Sequence, residues 1–339
     1  MSNPTSNEIW LLIDSRQFGG IETYVVQLAQ GLIVHQQPVK VLLITEYVPR
    51  SPLCEKLENL SIPYQYLGGS TFDALTKLNK KIRQSPPLAL HANGYKASLI
   101  AKLTKLYTGV KLVSTYHAGE TPKGKMWLYD WLDRWSAWIE NHSIVVSKAI
   151  GAKLPSNSHY IENFIDTNRL DIAYGEQIAF VGRLSPEKAP ERFITLATQF
   201  PNRNFHFYGT GEQSQQLQAN APKNIQFHGH QSNMDTVWSN ISVLIICSHY
   251  EGLPMVALEA MARGIVVIAT SVGELPQLIR HRQNGYLARN ASDLAPLLTD
   301  WVSSPIVEQQ IIRQHAISTI QQNYSQQAII PKMLKLYFN

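Results

Sequence analysis

Residues 243–270, VLIICSHYEGLPMVALEAMARGIVVIAT, decide the fold. Both ends, VLIICS and IVVIAT, are short unbroken apolar runs, the pattern of strands covered on two faces. Between them Pro254 suits the first turn of a helix that VALEAMA continues. Strand, turn, helix and strand in this order build a parallel sheet, whose ligands bind beyond the carboxyl ends of the strands. The turn carries a carboxylate, Glu251, and the otherwise apolar helix a second, Glu259.

The same alternation extends in both directions. QIAFVGRL, NFHFYGTG, NIQFHG and GYLA complete the second half, while IWLLID, VKVLLIT, LALHA, VKLVSTYH and SIVVS alternate with amphipathic segments in the first. Residues 161–176, IENFIDTNRLDIAYGE, break the pattern and are read as the linker. The expected domains are 1–165 and 166–323, with a terminal helix over 324–339 that crosses back to the first domain. A chain of 339 residues is long enough for two such cores. Two distant cysteines, Cys54 and Cys247, form neither a disulfide framework nor a metal cluster, which fits a reducing cytoplasm. The N-terminus has no basic, apolar leader pattern, and no run of 18 apolar residues occurs, so neither standard secretion nor a membrane span is expected.

Candidate ligand-binding residues cluster in the strand-to-helix turns. Gly19 and Gly20 precede the first helix, where close backbone approach and a helix start favour phosphate. They match neither the dinucleotide fingerprint nor a P-loop. After the strand that ends at Gly182, Arg183 and Lys188 offer two cations to a diphosphate. Glu259 lies five residues beyond Pro254, about 7.5 Å along a helix axis, so Glu251 and Glu259 place acceptors at two depths beside an anion site. The structural alternative is that Glu251 caps the helix and Glu259 pairs with Arg263.

These segments, taken together, resemble the retaining glycosyltransferases of family four, which include bacterial glucosyl-, galactosyl- and mannosyltransferases of glycan assembly. The resemblance runs in order through FGGIETYVVQLAQGL (18–32), VVSKAI (145–150), IENFIDT (161–167), VGRLSPEKAPERFI (181–194), FYGTGEQSQQL (207–217) and the Glu251 to Glu259 segment. It implies a GT-B fold, two facing Rossmann-like domains with parallel sheets and the nucleotide sugar held mainly by the second. Glu259 would then bind the ribose, Glu251 the donor sugar, and the backbone of Gly252, Leu253, Pro254, Met255 and Val256 the sugar and phosphate. Arg183 and Lys188, with Gly182, Gly209, Gly19 and Gly20, would complete the donor site. His117 matches a family position facing the donor sugar, and His91 and Asn93 are candidates for the acceptor side. The implied activity is a UDP-favoured hexosyl or N-acetylhexosaminyl transfer to a glycan or glycolipid of lipopolysaccharide, capsule or a related polysaccharide. No cofactor and no required metal are expected, because Arg183, Lys188 and a helix dipole can stabilise the leaving diphosphate. The chain departs from the family at Lys188-Ala189, where Lys-Gly is usual and alanine is expected to cost little, and at Asn163-Phe164, where Asn-Gly is usual.

Two features lie outside that signature. Between Lys77 and Lys125 stand ten Lys or Arg against one acid, Glu120, although the net charge is only +5. Directly after comes MWLYDWLDRWSAWIEN, with Trp127, Trp131, Trp135 and Trp138 within an arc of roughly 80° at helical spacing. The stripe reads as core packed on the sheet; the alternative is an aromatic face meeting lipid or a glycolipid acceptor beside the cationic patch. A cytoplasmic enzyme with peripheral contact to the anionic inner membrane is expected, without nucleic acid as a partner. The competing functions are a sugar-nucleotide epimerase of similar fold and a non-catalytic binder of anionic membrane or nucleic acid.

Overall fold

The computed structural model describes residues 6–117, 125–168, 170–231 and 233–339. Glu120 and Lys123 of the basic stretch lie outside the described residues, as does the side chain of Lys125. The chain divides into two compact units, Met1–Asp166 with Gln326–Asn339, and Thr167–Ser325.

In the first unit the strands are β1 (Ile9–Ile13), β2 (Val39–Thr45), β3 (Tyr64–Gly68), β4 (Ala89–Asn93), β5 (Leu112–Tyr116), β6 (His142–Val145) and β7 (Ser158–Tyr160). They form a parallel sheet in the order β3-β2-β1-β4-β5-β6-β7. The helices between them are α1 (Gly20–Val34), α2 (Pro52–Asn59), α3 (Thr71–Gln84), α4 (Tyr95–Thr108), α5 (Lys125–Trp135) and α6 (Lys148–Gly151). All five residues of β1 are buried, and they split by parity. Ile9, Leu11 and Ile13 join the core under α1 and α2, while Trp10 and Leu12 join the one under α3 and α4.

The second unit has β8 (Gln177–Val181), β9 (Phe205–Tyr208), β10 (Ile225–Phe227), β11 (Ile241–Ile246), β12 (Val266–Thr270) and β13 (Tyr286–Ala288). Its parallel sheet runs β10-β9-β8-β11-β12-β13. The helices are α7 (Pro190–Thr198), α8 (Ser214–Ala219), α9 (Met234–Trp238), α10 (Met255–Ala262), α11 (Leu275–Leu278), α12 (Leu294–Ser303) and α13 (Ile306–Asn323).

The last helix, α14 (Gln326–Phe338), completes the core of the first unit. Gly31 of α1 makes this docking feasible, since a Cβ there would lie 2.5 Å from Ile330 Cδ1. The Gln326 amide also donates to the Gln27 carbonyl at 2.9 Å. Phe164, the unusual residue of the linker segment, is buried in the same core, its ring 5.6 Å from that of Tyr24. It therefore anchors the chain before the crossing and makes no tight turn. Among the described residues no helix is long and apolar enough to cross a membrane.

The tryptophan helix is turned opposite to the expectation of a core stripe. Asp130 and Asp133 are buried, while Trp127, Trp131, Trp135 and Trp138 are 48–66% exposed. The reason is a buried cation: Lys102 of α4 donates to Asp133 Oδ1 at 2.6 Å and lies 3.0 Å from Glu140 Oε1. An ion so enclosed needs its partners, and they fix which face of α5 turns inward. The basic stretch is correspondingly reduced, because Lys102 is interior and Lys96 pairs with Asp14 at 2.9 Å.

Candidate active site

In the second unit β8 is followed by β9 on one side of it, and β11 by β12 on the other. The loops after β8 and β11 therefore diverge, opening a crevice at their carboxyl ends. The first loop carries Arg183 and Lys188, the second Glu251. Lys188 Nζ donates to both carboxylate oxygens of Glu251 at 2.7 Å, and Ser248 Oγ donates to Oε1 at 2.6 Å. Pro254, extended at ψ 128°, holds the N-cap position of α10. The Glu251 carboxylate is thus committed to Lys188 and Ser248 beside the crevice, not to capping the helix.

Backbone and side-chain bonds brace the two loops. The His249 amide donates to the Glu187 carbonyl at 2.8 Å, and Arg192 donates to the Cys247 carbonyl at 2.9 Å and to His249 Nδ1 at 2.8 Å. Cys247 adds a bond from its thiol to the Ala189 carbonyl at 3.2 Å, and burial pushes that thiol up to about 12. Ala189 sits at φ +49° and ψ +50°, the left-handed conformation that glycine adopts freely. The expectation that alanine costs little is corrected here: the loop demands a conformation that disfavours any Cβ.

Other glycines are explained by loop-to-loop packing. A Cβ on Gly209 would lie 2.0 Å from the Gly182 carbonyl, so the turns after β8 and β9 touch through bare backbone. Gly273, at φ +58°, stands in the same relation to the Glu251 carbonyl at 2.1 Å, and the Glu274 amide donates to the Gly252 carbonyl at 3.0 Å. The loop after β12 therefore sets the height of the Glu251 turn. Leu253, Pro254 and Met255 are buried and Val256 is half-buried. As at any helix start, the amides of Met255 and Val256 have no carbonyl one turn back within the helix. Glu259 is half-buried on α10. Arg263 places its guanidinium 2.6 Å from Asp235 and donates to the Glu259 carbonyl at 3.1 Å. Arg183 is 69% exposed on its side chain, 3.9 Å from Glu187.

The first unit has its own switch point between β1 and β4. Gly19 and Gly20 follow β1, Asn93 ends β4 and His117 follows β5. The Gly19 amide donates to Glu22 Oε2 at 3.0 Å, so a phosphate there would have to displace a carboxylate from this N–H. Gly20 is exposed, with nothing near a hypothetical Cβ. His117 is half-buried, with Nε2 3.3 Å from Asn93 Oδ1 and its ring 4.6 Å from Tyr24. Desolvation lowers it to about 3, so the imidazole is neutral throughout the physiological range. His91 is fully buried, its Nδ1 2.5 Å from Tyr337 Oη and its Nε2 2.7 Å from Thr115 Oγ1. This corrects the acceptor-side expectation for His91, which ties α14 to the sheet. Asn93 is buried too and supports His117 from below. Among the described residues no three His, Cys, Asp or Glu side chains gather as metal ligands.

Sequence reasoning missed Ser248, Arg192 and Gly273. Ser248 was accessible as the first polar residue after the strand, three before Glu251. Arg192 acts through a contact 55 residues away in the chain, which spacing does not reveal.

Comparison with known proteins agrees with this geometry. Residues 18–169 match the family model Glycosyltransferase Family 4, and residues 171–317 match Glycosyl transferases group 1. The O-antigen biosynthesis glycosyltransferase WbnH of Escherichia coli is 27% identical over 243 residues, spanning 66% of this chain and 70% of that one. HepE of Anabaena, solved with UDP and glucose, superposes with a TM-score of 0.84 at 18% identity over 96% of this chain and 98% of that one. A mutant of Staphylococcus aureus TarM, solved with Fondaparinux, alpha-GlcNAc-glycerol and UDP, gives a TM-score of 0.82 at 12% identity over 98% and 100%. The fold is that of the GT-B class. The two family models take in most of the chain, which belongs to the family 4, group 1 glycosyltransferases.

Proposed function

We propose that the enzyme transfers a hexose or N-acetylhexosamine from a nucleotide sugar, with UDP favoured, to a glycan or glycolipid of a bacterial surface polysaccharide such as O-antigen or capsule. The transfer retains the anomeric configuration and requires no metal ion. One observation carries this reading: an ammonium and a carboxylate, Lys188 and Glu251, meet across the strand switch point of the second unit. The roles of WbnH and the UDP and glucose held by HepE support the donor class and the setting.

A diphosphate entering the crevice would compete for the Lys188 ammonium and release the Glu251 carboxylate to accept hydrogen bonds from sugar hydroxyls. Arg183, exposed at the same loop, would add a second cation as charge develops on the leaving phosphate, and the α10 start would add its dipole. Glu259 would accept from the ribose hydroxyls. In a retaining transfer, the acceptor oxygen bonds to the anomeric carbon on the face that the phosphate leaves, and a departing phosphate oxygen takes the acceptor proton. In the first unit His117, neutral by burial, would offer a hydrogen bond to a sugar hydroxyl without adding positive charge.

Calorimetric titration of UDP, GDP and ADP into wild type and Glu259→Ala, with EDTA present, tests the donor site. UDP binding that weakens by about 1–3 kcal/mol in the variant is expected for lost bonds to a charged acceptor. A folded wild type that binds none of the three would overturn the proposal. Isomerisation of a sugar nucleotide without acceptor would point to an epimerase instead.

A further inference from the structure

The α3, α4 and α5 helices lie side by side over one face of the first sheet, and their outer surface has no role in the site described above. On α5 and the turn that follows, Trp127, Trp131, Trp135 and Trp138 point outward, with the Trp131 and Trp135 rings stacked at 6.1 Å. Exposed Leu128 and Leu132 extend the same surface. The acids of this segment are turned inward: Asp130 on Arg134 at 2.8 Å, and Asp133 and Glu140 on Lys102. Enclosing the charges costs desolvation and exposing the tryptophans leaves apolar area in water, and soluble surfaces rarely carry so large an apolar patch without a partner.

The neighbouring helices indicate the partner's chemistry. On α4, Leu103, Leu106 and Tyr107 are exposed in a helix that contains no acid. On α3, Phe72 is exposed beside Lys77, Lys80 and Arg83, with Asp73 as that helix's acid. Between α3 and α4 the surface dips into a groove of about 490 Å³ bounded by Phe72, Leu75, Tyr107, Lys80 and Arg83. Tryptophan and tyrosine favour the boundary between headgroups and acyl chains, and a lysine-rich margin complements anionic headgroups. A protein interface core would be depleted of lysine.

We propose that this outer face of α3, α4 and α5 docks the first unit on an anionic lipid bilayer, with the tryptophans seated at headgroup depth. The test uses intrinsic fluorescence of the whole chain, because the remaining tryptophans, Trp10, Trp238 and Trp301, are buried. Vesicles of phosphatidylcholine with phosphatidylglycerol should co-sediment the protein and shift its emission to the blue, brominated lipid should quench that emission, and added salt should weaken binding. Trp131→Ala/Trp135→Ala, which removes exposed rings only, should lower the vesicle partition coefficient at least about tenfold, and Lys77→Ala/Lys80→Ala should reduce it on anionic vesicles alone. An unchanged urea-unfolding midpoint serves as the folding control, and UDP titrated separately distinguishes a failure here from a failure of the donor site. Two outcomes would overturn the proposal: an unquenched wild type that stays in the supernatant, or a wild-type dimer that the tryptophan variant converts to monomer without any lipid response.

Discussion

Lys188 and Glu251 close on each other at 2.7 Å across two loops that belong to different strands of the second unit. A phosphate at Lys188 would compete with Glu251 for the ammonium, so under the proposed function the pair would couple phosphate binding to sugar binding. Glu251→Gln should lower kcat by about 10- to 100-fold, the range for losing a hydrogen bond to a charged group, while leaving UDP affinity equal or stronger because Lys188 is released. Steady-state kinetics beside calorimetry check this; a parallel loss of UDP affinity would show that the carboxylate acts on the nucleotide.

Lys188→Ala should weaken both UDP binding and kcat/KM, the latter by about 2–4 kcal/mol if the ammonium stabilises the departing diphosphate. The variant also strips the Glu251 carboxylate, 6% exposed, of its cation. Urea unfolding should therefore show a loss of about 1–3 kcal/mol. Lys188→Ala/Glu251→Gln should recover part of that stability and none of the activity.

Gly273→Ala reads the scaffold of the site. Its Cβ would lie 2.1 Å from the Glu251 carbonyl at a backbone φ of +58°, so the Glu251 turn must shift. We expect a loss of about 1–3 kcal/mol of stability from overpacking and a fall in kcat larger than the change in UDP affinity. An unchanged kcat in a folded variant would show that the turn's height is not critical.

Low pH should unfold the first unit through two histidines. Burial lowers His91 and His117 to about 3 from an ordinary value of 6.5. Their stabilisation is complete above pH 6.5 and is lost as pH falls toward 3, at about 1.4 kcal/mol per pH unit for each. Asp133 has the opposite sign: despite Lys102, burial raises it to about 6. Between roughly pH 4 and 6 it offsets one histidine. Urea midpoints measured from pH 7 to 4 should therefore fall less steeply than two histidines alone dictate, and His117 should contribute no limb near pH 6.5 to kcat/KM.

Lys102→Met should destabilise the chain by about 3–5 kcal/mol, since it leaves Asp133 and Glu140 enclosed without their cation. Adding Asp133→Asn and Glu140→Gln should restore much of the loss, as chemical denaturation can show. If Lys102→Met alone is neutral, the buried charges do not set the orientation of α5.

Much of this architecture was legible because parallel sheets buried on two faces write themselves as unbroken apolar runs, as in IWLLI and VVIAT. The order of loops followed from the same runs, and the Glu251 to Glu259 spacing lay within one strand-helix unit. The orientation of α5 was not legible. Periodicity places four tryptophans on one side and two aspartates on the other, but which side turns inward depends on Lys102, a residue of another helix. His91 was misread for a related reason: its partners Thr115 and Tyr337 lie 24 and 246 residues away. The left-handed demand at Ala189 was signalled only by the glycine usual at that position, since the alanine itself does not reveal a loop braced against Cys247.

The α14 helix leaves the ribosome only after the whole second unit, yet it belongs to the core of the first. During synthesis, Gly31 and the surface around it must wait through the emergence of all 159 residues from Thr167 to Ser325 before Ile330 can cover them. Because domains tend to fold as units while they emerge, the second unit is free to finish first. Chains ending at Ser325 and held on the ribosome by a linker that spans the exit tunnel should therefore protect the second unit from protease and leave the first one susceptible.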